Sequence, residues 1–127
     1  MSNFDEAQIR FLEGLFCENK AFINRFEDVQ KDVHDNAVSH GWWEEPREDG
    51  TLIALIMSEA AEALEALRKG NKPDEHCPQF SGAEVDLADV IIRIMDMAEA
   101  RGWNVAGAIL AKHEFNKTRP YKHGKEF

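Results

Sequence analysis

Two pairs of acidic residues, each pair spaced three residues apart, lie in two segments that are otherwise apolar and helix-forming. Glu59 and Glu62 fall within LIALIMSEAAEALEAL, and Asp86 and Asp89 fall within GAEVDLADVIIRIMDMA. Residues three apart lie on one face of a helix, so each pair presents two carboxylates side by side. Carboxylates in a core-type helix cost free energy unless a positive partner satisfies them. The pattern favours a divalent cation as that partner, because such ions prefer oxygen ligands.

The length and charge of the chain fit one globular domain. Its 127 residues are enough for a hydrophobic core, and a hydrophobic content of 43% argues against disorder. We predict a single domain over residues 1–127, with a helical addition at 1–19 and a basic, irregular tail at 118–127. The net charge is −9, yet the residues from Lys112 onward include five basic and two acidic ones. An acidic body with a basic tail argues against binding of a nucleic acid polymer.

The sequence predicts a cytoplasmic protein without a membrane segment. Its first residues, MSNFDEAQIR, lack the basic start and apolar stretch of a signal peptide. No apolar run is long enough to cross a bilayer. Cys17 and Cys77 belong to no metal or redox motif, so we expect both to be reduced thiols.

Hydrophobic spacing predicts an all-α fold, because three- and four-residue steps dominate and no segment alternates like a strand. Capping boxes predict two helix starts, at Asn3 with Glu6 and at Ser81 with Glu84. Residues 42–50 are predicted to form a loop. The predicted helices cover about residues 3–17, 22–41, 52–69, 82–101 and 104–119.

The acidic pair of the third helix lies at the border of its apolar stripe. On a helical wheel, Glu59 and Glu62 lie beside that stripe, whereas Glu65 lies further round and faces water. The alternative for the acids is a solvated helix face that pairs internally with Arg93 or Arg68. Two pairs on helices joined by a hairpin-like loop favour the metal site over that alternative.

The fourth helix is apolar on most sides, which is typical of a helix buried between others or across a subunit interface. One polar seam carries Asp86, Asp89 and Asp96. Glu84 lies almost opposite this seam and suits the capping box with Ser81, so we exclude it as a metal ligand.

Basic residues of the fifth helix are candidates for phosphate contact. Lys112, Asn116 and Arg119 form one stripe, at steps of four and three residues. The alternative is a solvated basic end that interacts favourably with the helix dipole. Tyr121 and Lys122 follow in the tail and extend this candidate region.

Two adjacent tryptophans precede the third helix. Trp42 and Trp43 are candidates for stacking on a nucleobase, and the alternative for each is anchoring in a core or interface. His34, near the end of the second helix, is assigned to the helix surface, and the alternative is that it faces the site. The chain has no Gly-rich phosphate loop, so any phosphate site would be helical.

These motifs resemble the MazG-like all-α nucleoside triphosphate pyrophosphohydrolases. That family carries E-x-x-E on one helix and E-x-x-D on the next. Glu59 and Glu62 match the first pair, and Asp86 and Asp89 match the second, with aspartate where glutamate is more usual. Ser58 stands where the family often has a further glutamate. The likeness spans about residues 29–127 and includes GWW, LIALIMSEAAEALEALRKG, SGAEVDLADVIIRIMDMA and FNKTRPYKHGKEF.

The resemblance implies a fold, a reaction and a site. The fold would be a helical bundle whose central helices pack against a second subunit, in a homodimer or homotetramer. The reaction would cleave a (d)NTP between the α and β phosphates to give (d)NMP and pyrophosphate, with water activated by the metal as the nucleophile. The four paired acids would hold Mg²⁺, for which Mn²⁺ substitutes, and Lys112, Asn116 and Arg119 would contact phosphate or sugar.

Two other functions fit parts of the pattern. Phosphoribosyl-ATP pyrophosphohydrolases have a similar acidic helical pattern, although the tryptophan pair and the KHGKEF ending fit the MazG-like branch better. A non-catalytic helical nucleotide-binding module is the alternative from another class. The complete set of four acids argues against it, because such a module has no need of a metal in its core.

Overall fold

A computed structural model describes residues 5–127 of the chain. These residues form five α-helices and a short 3-10 turn at Tyr121–Gly124, with no strand, which confirms the all-α prediction. One isolated backbone bridge joins Pro73 and Ser81. None of the helices in this part of the chain is long and apolar enough to cross a membrane. The helices are α1 (Glu6–Glu18), α2 (Lys20–Ser39), α3 (Asp49–Arg68), α4 (Gly82–Arg101) and α5 (Val105–Lys117).

The start of α4 is fixed by the predicted capping box. The hydroxyl of Ser81 accepts from the backbone N–H of Glu84, whose carboxylate accepts from the backbone N–H and the hydroxyl of Ser81. These bonds to the charged form lower the pKa of Glu84. Glu84 therefore acts in the cap, as predicted.

The first helix starts with a different cap from the predicted one. Asp5 is its N-cap and exchanges hydrogen bonds with Gln8, whereas Glu6 lies in the first turn. The other member of the predicted pair, Asn3, lies outside the described residues. Asp5 and Gln8 thus form a capping box, with aspartate as the N-cap and glutamine three residues later.

The third helix begins three residues earlier than predicted, at Asp49, so Gly50 is helical and the preceding loop ends at Glu48. Asp49 explains the difference. Its carboxylate lies in the first turn, where the helix dipole favours negative charge, and accepts from Nε of Arg101 at 2.7 Å. The helix ends as predicted, with Gly70 following at a φ of +89° that suits glycine.

The described chain divides into two compact units. One contains the residues up to Asp28 together with Asn104–Phe127, and within it α1 contacts α5. The other is Val29–Trp103 and contains the end of α2 and the whole of α3 and α4. In this α3–α4 unit the two helices pack along each other as an antiparallel hairpin, because the start of α3 contacts the end of α4 through Asp49 and Arg101.

The α3–α4 unit has a narrow core and an uncovered apolar face. Small and flexible side chains fill the core, and no large side chain in residues 5–127 is fully buried. The buried apolar members are Leu52, Ala63, Ala83, Met95, Met97 and Ala98. The exposed apolar face consists of Ile53, Met57, Leu64 and Leu67 on α3, with Leu87 and Ile91 on α4. The α3 members recur at helical steps and so share one side of that helix.

Candidate functional site

The four predicted acids are brought together by the register of the hairpin. Arg93 of α4 contacts Glu59 of α3. Given this antiparallel pairing, Glu59 lies opposite the turn that carries Asp89, and Glu62 opposite the turn that carries Asp86. Glu59 is 9% exposed, Glu62 is exposed, and the two aspartates are half-buried. The site is therefore a row of carboxylates along one side of the α3–α4 seam.

The carboxylates act on one another electrostatically. Repulsion from Glu59 is the largest cause of a raised pKa at Glu62, and burial, Asp86 and Asp89 add to it. Burial is the largest cause of a raised pKa at Asp89, followed by repulsion from Glu59 and Asp86. Full ionisation of this row is unfavourable without a cation, and this is the electrostatic condition of a cation-binding site.

Arg93 supplies one positive charge to the row. Its Nε donates to Oε1 of Glu59 at 2.6 Å. Its charge also acts to lower the pKa of Asp89, although burial and the neighbouring acids raise that pKa overall. The alternative of internal pairing is thus realised for Glu59. The bond uses Oε1 of Glu59, and a side-chain hydrogen bond between Glu59 and Glu62 also contributes to the raised pKa of Glu62.

The donor set fits a hard cation such as Mg²⁺, although its side chains are not gathered around a point. Four carboxylates are oxygen donors of the kind that Mg²⁺ prefers. In the part of the chain described, no three His, Cys, Asp or Glu side chains are grouped so that they could hold a metal ion. Coordination by all four acids would therefore require side-chain rotation.

Asp96, the third acid of the α4 seam, binds an aromatic cluster. Its carboxylate accepts from Nε1 of Trp43 at 3.0 and 3.2 Å and from Nδ1 of His34 at 2.8 Å. An ionised carboxylate only accepts, so Nδ1 of His34 carries the proton in this contact. The side chain of His34 is only 19% exposed, and its assignment to the helix surface was therefore wrong. The contact with Asp96 holds it inside the unit.

The two tryptophans have different environments. Trp43 donates a hydrogen bond to Asp96, and its ring centre lies 5.3 Å from that of His34 in an edge-to-face arrangement. Trp42 is 60% exposed and lines a cavity. The guanidinium of Arg47 lies 5.7 Å from the ring centre of Trp42 and 5.1 Å from that of Trp43. Trp43 is thus an anchor, whereas Trp42 remains available for stacking.

A cavity of about 520 Å³ lies beside the acid row and is lined by Trp42 and by carboxylates of α3 and α4. This volume lies within the range of small-molecule sites. Glu59, Asp89 and Arg93 line one part of it, and Trp42 and Arg47 line another. The end of α2 contributes the polar side chains of Asp32, Asn36 and His40. All of these residues belong to the α3–α4 unit.

The candidate phosphate-binding residues Lys112, Asn116 and Arg119 belong to the other unit. The helix ends at Lys117, before the predicted residue 119, so Arg119 follows α5 rather than lying on it. The cationic groups of Lys112 and Arg119 lie 4.7 and 5.9 Å from the centre of the Phe115 ring. Oδ1 of Asn116 is buried without a hydrogen-bond partner among the described residues. Contact between these residues and the acids stays a prediction.

The tail beyond α5 carries the last two candidate residues. Tyr121 is 87% exposed, and the ammonium of Lys122 lies 5.7 Å from its ring centre. The turn that contains them departs from helical geometry, because Lys122 and His123 have φ angles of +51° and +54°. Their contact with a substrate also stays a prediction.

Sequence patterns placed Arg93 and Asp96 on the acidic seam of α4 but gave neither of them a role at the site. Arg47 had no sequence signal, because only tertiary contacts with Asp96 and the tryptophans bring it to the cavity. His34 likewise reaches Asp96 only through the packing of α2 on α4.

Comparisons of the chain with protein-family models, with curated proteins and with solved structures gave no match. The functional argument therefore rests on the geometry of the α3–α4 unit together with the sequence motifs.

Proposed function

We propose that this chain is a Mg²⁺-dependent nucleoside triphosphate pyrophosphohydrolase that converts a (d)NTP and water into a (d)NMP and pyrophosphate. The observation that carries the proposal is one cavity that has carboxylates of α3 and α4 on one part of its wall and an exposed tryptophan on another. A nucleotide has the same two chemical ends, an anionic triphosphate that binds through a cation and a flat base that stacks.

The acid row and the cavity have separate proposed roles. Glu59 and Asp89, which line the cavity, and Glu62 and Asp86, which do not, would together hold Mg²⁺. The ion would neutralise phosphate charge and lower the pKa of water for in-line attack. Trp42 stacks on the base. The side of the cavity that Trp42 lines is called the aromatic wall, and Trp43 keeps this wall in place through its hydrogen bond to Asp96. Because Trp43 is held and Trp42 is exposed, only Trp42 is proposed to touch the substrate.

Three residues beyond the α3–α4 unit are proposed to bind the phosphate or sugar of the substrate. Lys112 and Arg119 both lie near the ring of Phe115, and with Asn116 they offer donors for phosphate or sugar oxygens. Tyr121 and Lys122 extend this donor set into the tail.

We further propose that the active form is a homodimer or homotetramer in which a second copy covers the exposed apolar face. Its α3 members are about half exposed or more, for example Met57 at 65% and Leu64 at 51%. Burying such side chains against a partner contributes roughly 1 kcal/mol each, by area burial alone. We place the enzyme in the cytoplasm, where its two unpaired cysteines would stay reduced.

A nucleotide panel tests the proposed activity. The purified protein is incubated with Mg²⁺ and each of the common NTPs and dNTPs, and pyrophosphate release is measured. We expect release from at least one of them, together with the matching monophosphate. Absence of pyrophosphate with every nucleotide would refute the enzyme and favour the non-catalytic binding module. Cleavage of phosphoribosyl-ATP alone would favour the other pyrophosphohydrolase family.

Charge-removing variants test the site within that assay. Glu59→Gln and Asp89→Asn should each lower kcat/KM by about 100-fold or more, since each removes a proposed metal ligand. Glu65→Gln is the matched control, because Glu65 lies on α3 one turn from Glu62 and, within the described residues, forms an ion pair only with Lys69, at 3.4 Å. Unchanged activity in the first two variants would show that the acids are not the catalytic site.

A further inference from the structure

We propose that Arg93 contacts the phosphates of the substrate directly and is a catalytic residue of the α3–α4 site. This inference rests on the proposed function for the identity of the ligand. The sequence pattern assigned phosphate contact to α5. Arg93, in contrast, is carried by α4 itself and lines the same cavity as Glu59 and Asp89.

The contacts of Arg93 leave most of its donors available. Its Nε donates to Glu59 at 2.6 Å, and within residues 5–127 its two terminal nitrogens have no hydrogen-bond partner. The side chain is 38% exposed. A guanidinium has five N–H donors, so four remain on the planar end that suits phosphate oxygens. Glu59 therefore holds the group by its inner nitrogen and leaves the outer nitrogens for a ligand.

Electrostatics favours Arg93 over the other arginine of the cavity. A triphosphate approaching a row of carboxylates meets like charge, so it needs positive groups on the cavity wall. Arg47 is only 15% exposed, and its guanidinium lies against Trp42 and Trp43. Arg93 is more exposed and is bound to the acid row itself. It is thus the cationic side chain placed to meet phosphates beside the acids.

The reaction gives this contact a catalytic role. Water attacks the α phosphorus, and the bond to the oxygen bridging the α and β phosphates breaks with its electron pair left on pyrophosphate. The water supplies the new oxygen of the monophosphate and releases one proton. Negative charge spreads over the phosphoryl oxygens as this bond breaks. The terminal N–H groups of Arg93 would bind those oxygens, and such donors are worth most when they are fixed in advance.

Binding measurements test the contact without requiring turnover. The probes are the α,β-imido analogues of the four common dNTPs, with Mg²⁺, and the four corresponding nucleosides, titrated calorimetrically. In Arg93→Gln, we expect the best-binding analogue to bind about 10- to 100-fold more weakly, whereas nucleoside binding changes less than twofold. Arg93→Lys should lose less, because it keeps the charge but not the planar fork. Arg68→Gln, which removes one exposed charge at the end of α3, should bind like the wild type.

The outcomes separate this inference from the proposed activity. Equal binding of the analogue by wild type and Arg93→Gln would overturn the contact even if the wild type cleaves nucleotides. A parallel loss of analogue and nucleoside binding would also overturn it, since it would indicate a structural role. If the wild type releases no pyrophosphate but Arg93→Gln selectively loses binding of the analogue, the contact would be supported and the activity refuted. Circular dichroism checks that each variant folds, and Arg93→Lys provides the answer if Arg93→Gln does not fold.

Discussion

Replacement of Asp96 by alanine should destabilise the α3–α4 unit, because Asp96 accepts hydrogen bonds from two largely buried donors and forms an ion pair with Arg47 at 3.8 Å. The side chain of Asp96 is only 14% exposed and accepts from Trp43 at 3.0 Å and from His34 at 2.8 Å. Leaving a buried donor unsatisfied costs about 1–3 kcal/mol. Because His34 is partly exposed, we place the total near 3 kcal/mol. For a chain of this size, that corresponds to a fall in melting temperature on the order of 10 °C.

Thermal and urea unfolding, followed by circular dichroism at 222 nm, measure this loss. Asp96→Asn should lose about half as much, since the amide keeps one acceptor oxygen. Asp35→Ala is the control on α2. Asp35 is an exposed aspartate whose ion pair with Lys31, at 2.9 Å, is worth less than about 1 kcal/mol.

A double-mutant cycle with Trp43→Phe isolates the bond itself. Phenylalanine keeps an aromatic ring but lacks the indole N–H, so the effect of Asp96→Ala should be smaller in that background by about 1 kcal/mol. A change of less than 0.5 kcal/mol in Asp96→Ala would refute the reasoning, as would effects of Asp96 and Trp43 that simply add.

Three further predictions concern charge, assembly and base contact. Because repulsion and burial raise the pKa values of Glu62 and Asp89, these groups favour the folded state while protonated, and their contribution is lost as the pH rises through the raised values. The double variant Glu62→Gln/Asp89→Asn should therefore have a higher urea midpoint than the wild type at pH 7 in EDTA, and this difference should nearly vanish near pH 4. A difference in midpoint that does not change with pH would contradict this reasoning. Light scattering should find a smaller assembly for Leu64→Lys than for the wild type, because the lysine places a charge on the exposed apolar face; an unchanged mass would place the interface elsewhere. Trp42→Ala should weaken nucleotide binding by about 1–3 kcal/mol and leave binding of inorganic tripolyphosphate unchanged, and equal losses for both ligands would argue against stacking.

Local patterns predicted the helices well where local interactions determine them. The start of α4 follows from the contact between Ser81 and Glu84, only three residues apart. The start of α3 was misplaced because its first turn is stabilised by Arg101, which lies 52 residues beyond Asp49 in the chain. A helix boundary that depends on such a partner leaves no signal in the nearby sequence.

The same distinction applies to the candidate site. Wheel positions correctly placed Glu59 at the border of the core, since burial on a single helix follows from its hydrophobic period. They placed Glu62 at the same border, but its side chain is exposed. They did not predict that Trp43 would bind Asp96 across 53 residues, nor that His34 would reach it across 62. These contacts depend on how α2 and the loop after it pack on α4, and no periodicity encodes that packing.

One helix nevertheless links the two ends of the cavity. Asp89 and Asp96 are seven residues apart on α4, which is close to two turns, so they lie on nearly the same side about 10.5 Å apart along the axis. Asp89 belongs to the acid row, and Asp96 anchors the aromatic wall through Trp43. Arg93 lies between them and binds Glu59. Because α4 is a continuous helix, the spacing between acids and aromatic wall is set by its backbone, and loss of Asp96 would release the wall without displacing the acids.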